Sequence, residues 1–246
     1  MNNQNTIEKM KQMHLSAMAQ TYHNSLENNL YKDYTTDQFI ALLVEQEWEE
    51  RYNKKINNLI KSARFRYSAN IKDIDYTTNR SLDKNSFERL SNLDFINRAE
   101  NIIITGATGT GKSYLAQALG HAACINQKRT LYYNFKNLTD LVRLSRLEGD
   151  YMKLMKKIQK ADLLILDDFG LSAFDDGSRN MLMDIVEMKY DKSSIILAAQ
   201  IPVKSWHETI GEGTIADAIL DRLVNSSHRI ELTGESMRKN KLKSLK

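Results

Sequence analysis

The residues with the clearest chemical pattern are Gly106-Ala107-Thr108-Gly109-Thr110-Gly111-Lys112-Ser113, which fit G-x-x-x-x-G-K-[ST]. Glycines at these positions let the backbone turn tightly and aim successive N–H groups at anionic oxygens. A helix opening near Lys112 adds its positive end. The chemistry is the gripping of a nucleoside triphosphate, ATP in the simplest case. Lys112 is expected to reach the β- and γ-phosphates and Ser113 to ligate Mg²⁺, with the cradle continuing into Tyr114. A second pattern, Leu163-Leu164-Ile165-Leu166-Asp167-Asp168, is an apolar strand ending in two carboxylates. In sites that hydrolyse nucleotides, the first such acid holds Mg²⁺, usually through water. That assigns Asp167. Its neighbour points differently on the strand, so Asp168 is expected to face the γ-phosphate and polarise an attacking water. Such an acid pair favours hydrolysis over phosphoryl transfer to a small molecule.

These groups need a frame, and the apolar pattern supplies one. From residue 101 short apolar runs alternate with helical stretches: strands are expected at 102–105, 130–135, 163–167, 194–199 and 229–232. Helices are expected at 112–125, 137–160, 178–190, 203–210 and 214–224. Short, wholly apolar strands between helices indicate a mostly parallel sheet covered on both faces. Residues 1–98 read as helical, with no glycine before Gly106. From Tyr52, apolar residues recur at Ile56, Leu59, Ile60, Ala63 and Tyr67, one helical stripe. Thr77-Thr78-Asn79 and Asp83-Lys84-Asn85-Ser86 read as loop or capping segments.

Charge is unevenly spread. Residues 37–50 carry five acids and no base, residues 51–72 seven bases and no acid, and the tail from Gly234 five bases against Glu235. Two basic concentrations on a chain of net charge +4 point to a polyanion, most simply nucleic acid. Arg51, Lys54, Lys55, Lys61, Arg64 and Arg66 are the expected phosphate contacts. Tyr52, Phe65 and Tyr67 lie between them at spacings that suit core packing better than base stacking. No base-reading motif accompanies them, so contact with the backbone and with DNA shape is expected. The single cysteine, Cys124, excludes an internal disulfide and a multi-cysteine zinc site. The five histidines show no metal spacing. No apolar run approaches the ~18 residues of a membrane span, and the first residues lack a signal-peptide core, so a cytoplasmic protein without a membrane partner is expected.

The loop Gly106–Ser113, LLILDDFG over 163–170, ADAILDRLV over 216–224 and IELTGESMRK over 230–239 together resemble the IstB family. These are helper ATPases of insertion-sequence transposition, related to DnaC helicase loaders within the AAA+ class. Gly120-His121 and Trp206-His207-Glu208 extend the likeness over nearly the whole chain. The resemblance implies an α/β fold: an AAA+ P-loop NTPase with a five-stranded parallel sheet flanked by helices, preceded by a small all-helical N-terminal domain. The expected division is residues 1–70 for DNA or partner binding and 71–246 for the ATPase. It further implies ATP-dependent self-association on duplex DNA and delivery of that DNA to a partner transposase. An arginine from a neighbouring subunit completes such sites, and Arg222 in Asp221-Arg222-Leu223 matches that finger. Arg238 resembles the second sensor, which touches the γ-phosphate from its own subunit. Two departures stand out. The first-sensor segment reads Ala198-Ala199-Gln200, so only Gln200 can hydrogen-bond through its side chain. The second acid is Asp168 where many relatives carry glutamate. Slow, DNA-stimulated turnover is the expectation. A DnaC-like helicase loader shares all this nucleotide chemistry and remains the alternative at this point. A small-molecule kinase would need a substrate lid, and no arginine-rich lid follows Asp168; a nucleotide-gated scaffold without useful hydrolysis also stays open.

Overall fold

With no glycine or proline to interrupt it, the N-terminal chain forms three helices in the computed structural model, which describes residues 3–237. They are α1 (Asn3–Gln12), α2 (Ser16–Glu27) and α3 (Thr36–Ala63). The chain divides into two compact units, Met1–Asn58 and Leu59–Lys246. The first is held by Ile7, Ala19 and Leu43 and by one buried carboxylate, Glu47. Glu47 accepts the amides of Ala17 and Met18 at 3.0 and 3.2 Å, satisfying free donors at the start of α2. Burial alone would raise the Glu47 carboxyl, but Arg51, 2.7 Å away, and the two amides outweigh it and hold it below the usual range. On the outer side of α3, Ile40, Val44 and Trp48 are exposed at intervals of four residues, and Trp48 stacks on Tyr52 with ring centroids 5.0 Å apart.

The expectation of helix through Tyr67 is corrected. The helix stops at Ala63, and Arg64 turns left-handed at φ 60°. The cause lies far off in sequence: the buried Gln117 Oε1 accepts the amides of Arg66 and Tyr67 at 2.7 and 2.9 Å, donors that continued helix would have used. Between 64 and 83 the only helical piece is a short 3₁₀ turn, Ile71–Asp73. The capping expectation at Asp83 holds, since its carboxylate accepts the Ser86 amide at 2.7 Å and opens α4 (Lys84–Ser91). α5 (Asp94–Asn97) follows.

The larger unit then alternates strand and helix: β1 (Asn101–Gly106), α6 (Lys112–Ile125), β2 (Thr130–Asn134), α7 (Phe135–Leu147), α8 (Tyr151–Gln159), β3 (Leu163–Phe169), α9 (Asp176–Lys189), β4 (Ser194–Ala199), α10 (Trp206–Ile210), α11 (Gly213–Val224) and β5 (Ser227–Leu232). The single helix expected over 137–160 is two, α7 and α8, because Gly149 takes φ 78° between them, a left-handed stop that glycine adopts without strain. All strand pairings are parallel, in the order β2-β3-β4-β1-β5. Successive residues of the inner strands feed opposite cores. Ile103, Leu164, Leu166 and Leu197 pack with Phe135, Phe169 and Trp206 on one face, while Ile102, Ile104, Ile165 and Ile196 pack with Phe87, Leu115 and Leu119 on the other. This is why β1, β3 and β4 are mostly apolar rather than alternating, whereas the edge strand β5, Ser227–Leu232, is largely exposed and polar. β1 leads to β2 on one side and β4 leads to β5 on the other, so β1 lies where the winding reverses, the position that favours a ligand at the strand ends.

Candidate nucleotide-binding site

The loop 106–113 leaves the C-terminal end of β1 and runs into α6, as its glycine spacing requires. Gly106, Gly109 and Gly111 all have positive φ, at 147°, 85° and 99°. At Gly106 there is also no room: a Cβ would lie 2.3 Å from the Leu232 carbonyl oxygen on β5. Gly106→Ala is therefore expected to destabilise the fold by about 1–3 kcal/mol, the range for a residue forced into a strained conformation. Thermal unfolding checks this, with Gly177→Ala, a helical position in α9 where a Cβ would make only ordinary contact, 3.7 Å from Asp175 Oδ1, unchanged or slightly stabilised.

Within the loop, Lys112 is buried and its Nζ donates to the Ala107 carbonyl at 2.8 Å, drawing the turn closed around the ammonium. Thr110 Oγ1 donates to the same carbonyl at 2.9 Å. Ser113 Oγ donates to Asp167 Oδ1 at 2.8 Å, and Tyr132 OH donates to Asp167 Oδ2 at 2.8 Å. Asp167 is 1% exposed. Burial pushes its carboxyl above the ordinary range, against the lowering effect of the Tyr132 and Ser113 hydroxyls. Burial and the Asp167 charge push the Tyr132 phenol well above its usual value, which keeps it a donor. The donor set suits Mg²⁺: a hydroxyl and a carboxylate, both hard oxygens, converge at the mouth of the loop, with the carboxylate fixed from behind. Among the described residues no cluster of three or more acids, histidines and cysteines forms a metal cage.

Asp168 is not a simple continuation of the strand. It adopts φ 55°, and the β3–β4 register slips between Leu166 and Phe169, a bulge that re-aims the side chain. Its Oδ2 accepts Asn134 Nδ2 from the end of β2 at 2.8 Å. Gln200, just past β4, receives the Thr108 hydroxyl at 2.7 Å, so the fourth strand does reach the loop. Beside the loop opens a cleft of about 1030 Å³ whose far wall is built by Arg66, Tyr67, Ser68, Ile74, Asp75 and Thr78 and whose near wall holds Gly109, Gly111, Lys112, Ser113 and Tyr114.

Three expected site residues fall elsewhere. Arg222 sits on the last turn of α11, pairs with Glu187 at 2.9 Å and donates to the Ala218 carbonyl at 2.9 Å. Its own carbonyl accepts Asn101 Nδ2 at 3.3 Å, at the start of β1, whereas the phosphate loop leaves the other end of that strand. Arg51 is engaged inside the first unit with Glu47 and with the His14 carbonyl at 3.0 Å. Arg66 lies over the Tyr67 ring, 5.4 Å from its centroid, in the wall of the cleft. Lys54, Lys55, Lys61 and Arg64 are exposed. Phe65 and Tyr67 pack against the second core, as their spacing suggested. Arg238 and the basic tail after it lie outside the described residues. Sequence reasoning missed Tyr132, Asn134, Arg80 and the 66–78 wall. Tyr132 and Asn134 carried a signal in hindsight, polar groups on or at the end of a strand adjacent to the acidic one; the wall carried none.

The sequence of the chain over residues 8–244 matches the family described as IstB-like ATP binding protein. An insertion-sequence ATP-binding protein of Sinorhizobium fredii is 40% identical over 235 residues, 96% of each chain. The ATP-binding protein of insertion sequence IS21 from Pseudomonas aeruginosa is 30% identical over 234 residues, 94% of this chain and 86% of its own. Among solved structures, the DnaC helicase loader superposes with a TM-score of 0.55 at 19% identity, over 68% of this chain and 97% of its own. AMPPCP-bound DnaA from Aquifex aeolicus superposes with a TM-score of 0.57 at 19% identity, over 74% of this chain and 56% of its own. The fold is thus of the AAA+ kind shared by DnaC and DnaA.

Proposed function

The chain belongs to the IstB-like ATP binding protein family, and from that premise we propose that it is a slow ATPase that self-associates on duplex DNA and assists a partner transposase in target selection. The observation that carries this reading is the convergence of Lys112, Ser113, Asp167 and Asp168 at one mouth of the parallel sheet. Bound ATP with Mg²⁺ supplies the scissile phosphoryl group and a cation to neutralise it. The loop amides from Gly106 to Tyr114 grip the phosphates, Lys112 adds a fixed positive charge, and Ser113 with Asp167 would hold the metal. Asp168, steadied by Asn134, orients the water. Gln200 reads the γ-phosphate from the fourth strand, and Arg238 does so from the C-terminal segment. Arg222 is too far from its own loop and serves a neighbouring copy, which ties turnover to assembly. No helix among the described residues is long and apolar enough to cross a membrane. The relatives that share 30–40% identity are insertion-sequence proteins, whereas the helicase loader shares the fold at 19%, so transposition is the preferred setting.

For DNA contact we assign the basic stretch beginning at Arg51, with Lys54, Lys55, Lys61 and Arg64 as the main phosphate partners and Arg51 and Arg66 contributing less because each is engaged elsewhere. In this reading residues 1–70 present the DNA- and partner-binding surface and 71–246 the ATPase. Four to six phosphate contacts imply that affinity falls roughly 10²–10³-fold between 50 and 200 mM salt. Fluorescence anisotropy with labelled duplexes of unrelated sequence measures it; affinity that barely changes with salt removes the assignment. The proposal as a whole is tested by electron microscopy of the protein with duplex DNA and a non-hydrolysable ATP analogue. Ordered assemblies are expected, and monomers under all conditions overturn it.

A further inference from the structure

Arg80 is 3% exposed and lies in the wall of the cleft, against the phosphate loop. Its Nη1 donates to the Thr110 carbonyl at 3.2 Å and its Nη2 to the Asp75 carbonyl at 2.8 Å, and Nη1 also stands 3.1 Å from Met237 Sδ. A Cβ on Gly111 would come within 2.5 Å of Nη1, so the guanidinium is packed directly on the loop backbone. Every one of these partners is neutral. Among the described residues no carboxylate forms an ion pair with Arg80 within 4.0 Å, and its buried Nε has no hydrogen-bond partner at all. Asp75 does not supply the missing charge by contact. Its carboxylate is turned into its own tight turn, where it accepts the Thr77 amide at 2.8 Å and the Thr77 and Thr78 hydroxyls at 2.6 Å each.

A buried charge with no counter-charge in contact is unfavourable, because attraction from a charge held off by its own hydrogen bonds, as that of Asp75 is, offsets only part of the lost hydration. A lysine could escape by losing its proton; an arginine, whose free pKa exceeds 12, cannot. Burial pulls the Arg80 pKa downward, and the nearby Asp75 charge offsets this only in part. The cheapest relief is an anion, and the cleft that Arg80 lines is where a polyphosphate is held. A guanidinium also offers the planar fork that suits phosphate oxygens. We infer that Arg80 is a nucleotide-binding residue whose guanidinium is the counter-charge for the phosphate chain gripped by residues 106–113. The inference rests on the proposed reading of that loop as an ATP site. It assigns to the segment between Asp75 and Ser81 a role in binding phosphate that neither the loop motif nor the acidic strand discloses.

The competing account is that Arg80 merely braces the loop through Thr110 and Asp75. The two differ in the sign of their effect on the empty protein. Arg80→Met keeps the length and apolar bulk of the side chain and removes the charge. With full-length protein, binding of fluorescent ATP and ADP analogues and of adenosine is measured by titration, alongside thermal unfolding without ligand. The expected result is at least a 10-fold loss of ATP and ADP affinity, adenosine affinity within twofold of wild type, and an unliganded Tm unchanged or higher. ATP affinity within twofold of wild type, or equal losses for ATP and adenosine, overturns the inference. So does a lowered unliganded Tm with nucleotide affinity retained, the mark of a brace. If Arg80→Met does not fold, Arg80→Gln, which keeps two donors without charge, carries the same expectations. Wild-type protein that binds no ATP would instead overturn the underlying reading of the loop.

Discussion

Arg222→Ala is expected to lower DNA-stimulated ATP turnover by about 10³-fold or more while leaving ATP affinity within about twofold, the behaviour of an arginine supplied in trans. The reason is positional. Arg222 is anchored beside Asn101, at the beginning of β1, and the phosphate loop begins at Gly106, at its end. Six residues of strand separate the two by about 16 Å, beyond the reach of an arginine side chain to its own site. Its guanidinium is partly exposed, paired with Glu187 and placed over the Tyr190 ring 5.7 Å away, a contact set on the surface rather than in the core. A half-exposed pair of this kind contributes only about 0–1 kcal/mol to stability, so the variant should remain folded. A mixing experiment isolates the geometry. Arg222→Ala retains an intact loop and Asp168; Asp168→Asn retains an intact Arg222. Each alone should be nearly inactive, and mixing them should restore part of the turnover through interfaces that join one good half to the other. Undiminished turnover in Arg222→Ala, or no recovery on mixing, would sink the shared site.

The second large effect is expected at Lys112. Replacing it with alanine removes a buried ammonium that closes the loop on the Ala107 carbonyl and that, in the proposed reading, meets the phosphate oxygens. Charge-assisted hydrogen bonds contribute about 1.5–3 kcal/mol each, and the lysine offers more than one donor to the phosphates, so ATP affinity should fall by roughly 10²-fold or more. Titration of a fluorescent ATP analogue measures it. The two variants separate cleanly: Arg222→Ala binds ATP without turning it over, whereas Lys112→Ala fails to bind and loses ATP-dependent assembly on DNA as a consequence. If Lys112→Ala bound ATP like wild type, the loop would not be the phosphate site.

Residues 106–113 were legible because their conformation is a local matter. Three glycines at fixed spacing prescribe three positive φ angles, and a lysine and serine follow at once on the opening turn of α6. The strand residues 163–167 were legible for a related reason, since an inner strand of a parallel sheet, buried on both faces, reads as a continuous apolar run, here up to its terminal acid. The errors arose where one part of the chain answers to a distant one. α3 ends at Ala63 because Gln117, some fifty residues on, takes the Arg66 and Tyr67 amides. Periodicity registers the apolar stripe but not a competing acceptor. The break between α7 and α8 was local, and Gly149 was its readable sign.

Sequence by itself therefore determined the glycine loop, the two acids, the number and direction of the strands and the family. Only the tertiary structure decided who stands behind those groups. Tyr132 fixes Asp167, Asn134 steadies a bulged Asp168, Gln200 meets Thr108, and Arg80 lies buried against the loop with its Nε unbonded. Each of these pairs joins residues about thirty or more apart in the chain, brought together by strand order and helix packing. No spacing rule encodes such contacts, because they are set by which strands become neighbours, and that is an outcome of the whole fold burying its two apolar faces at once.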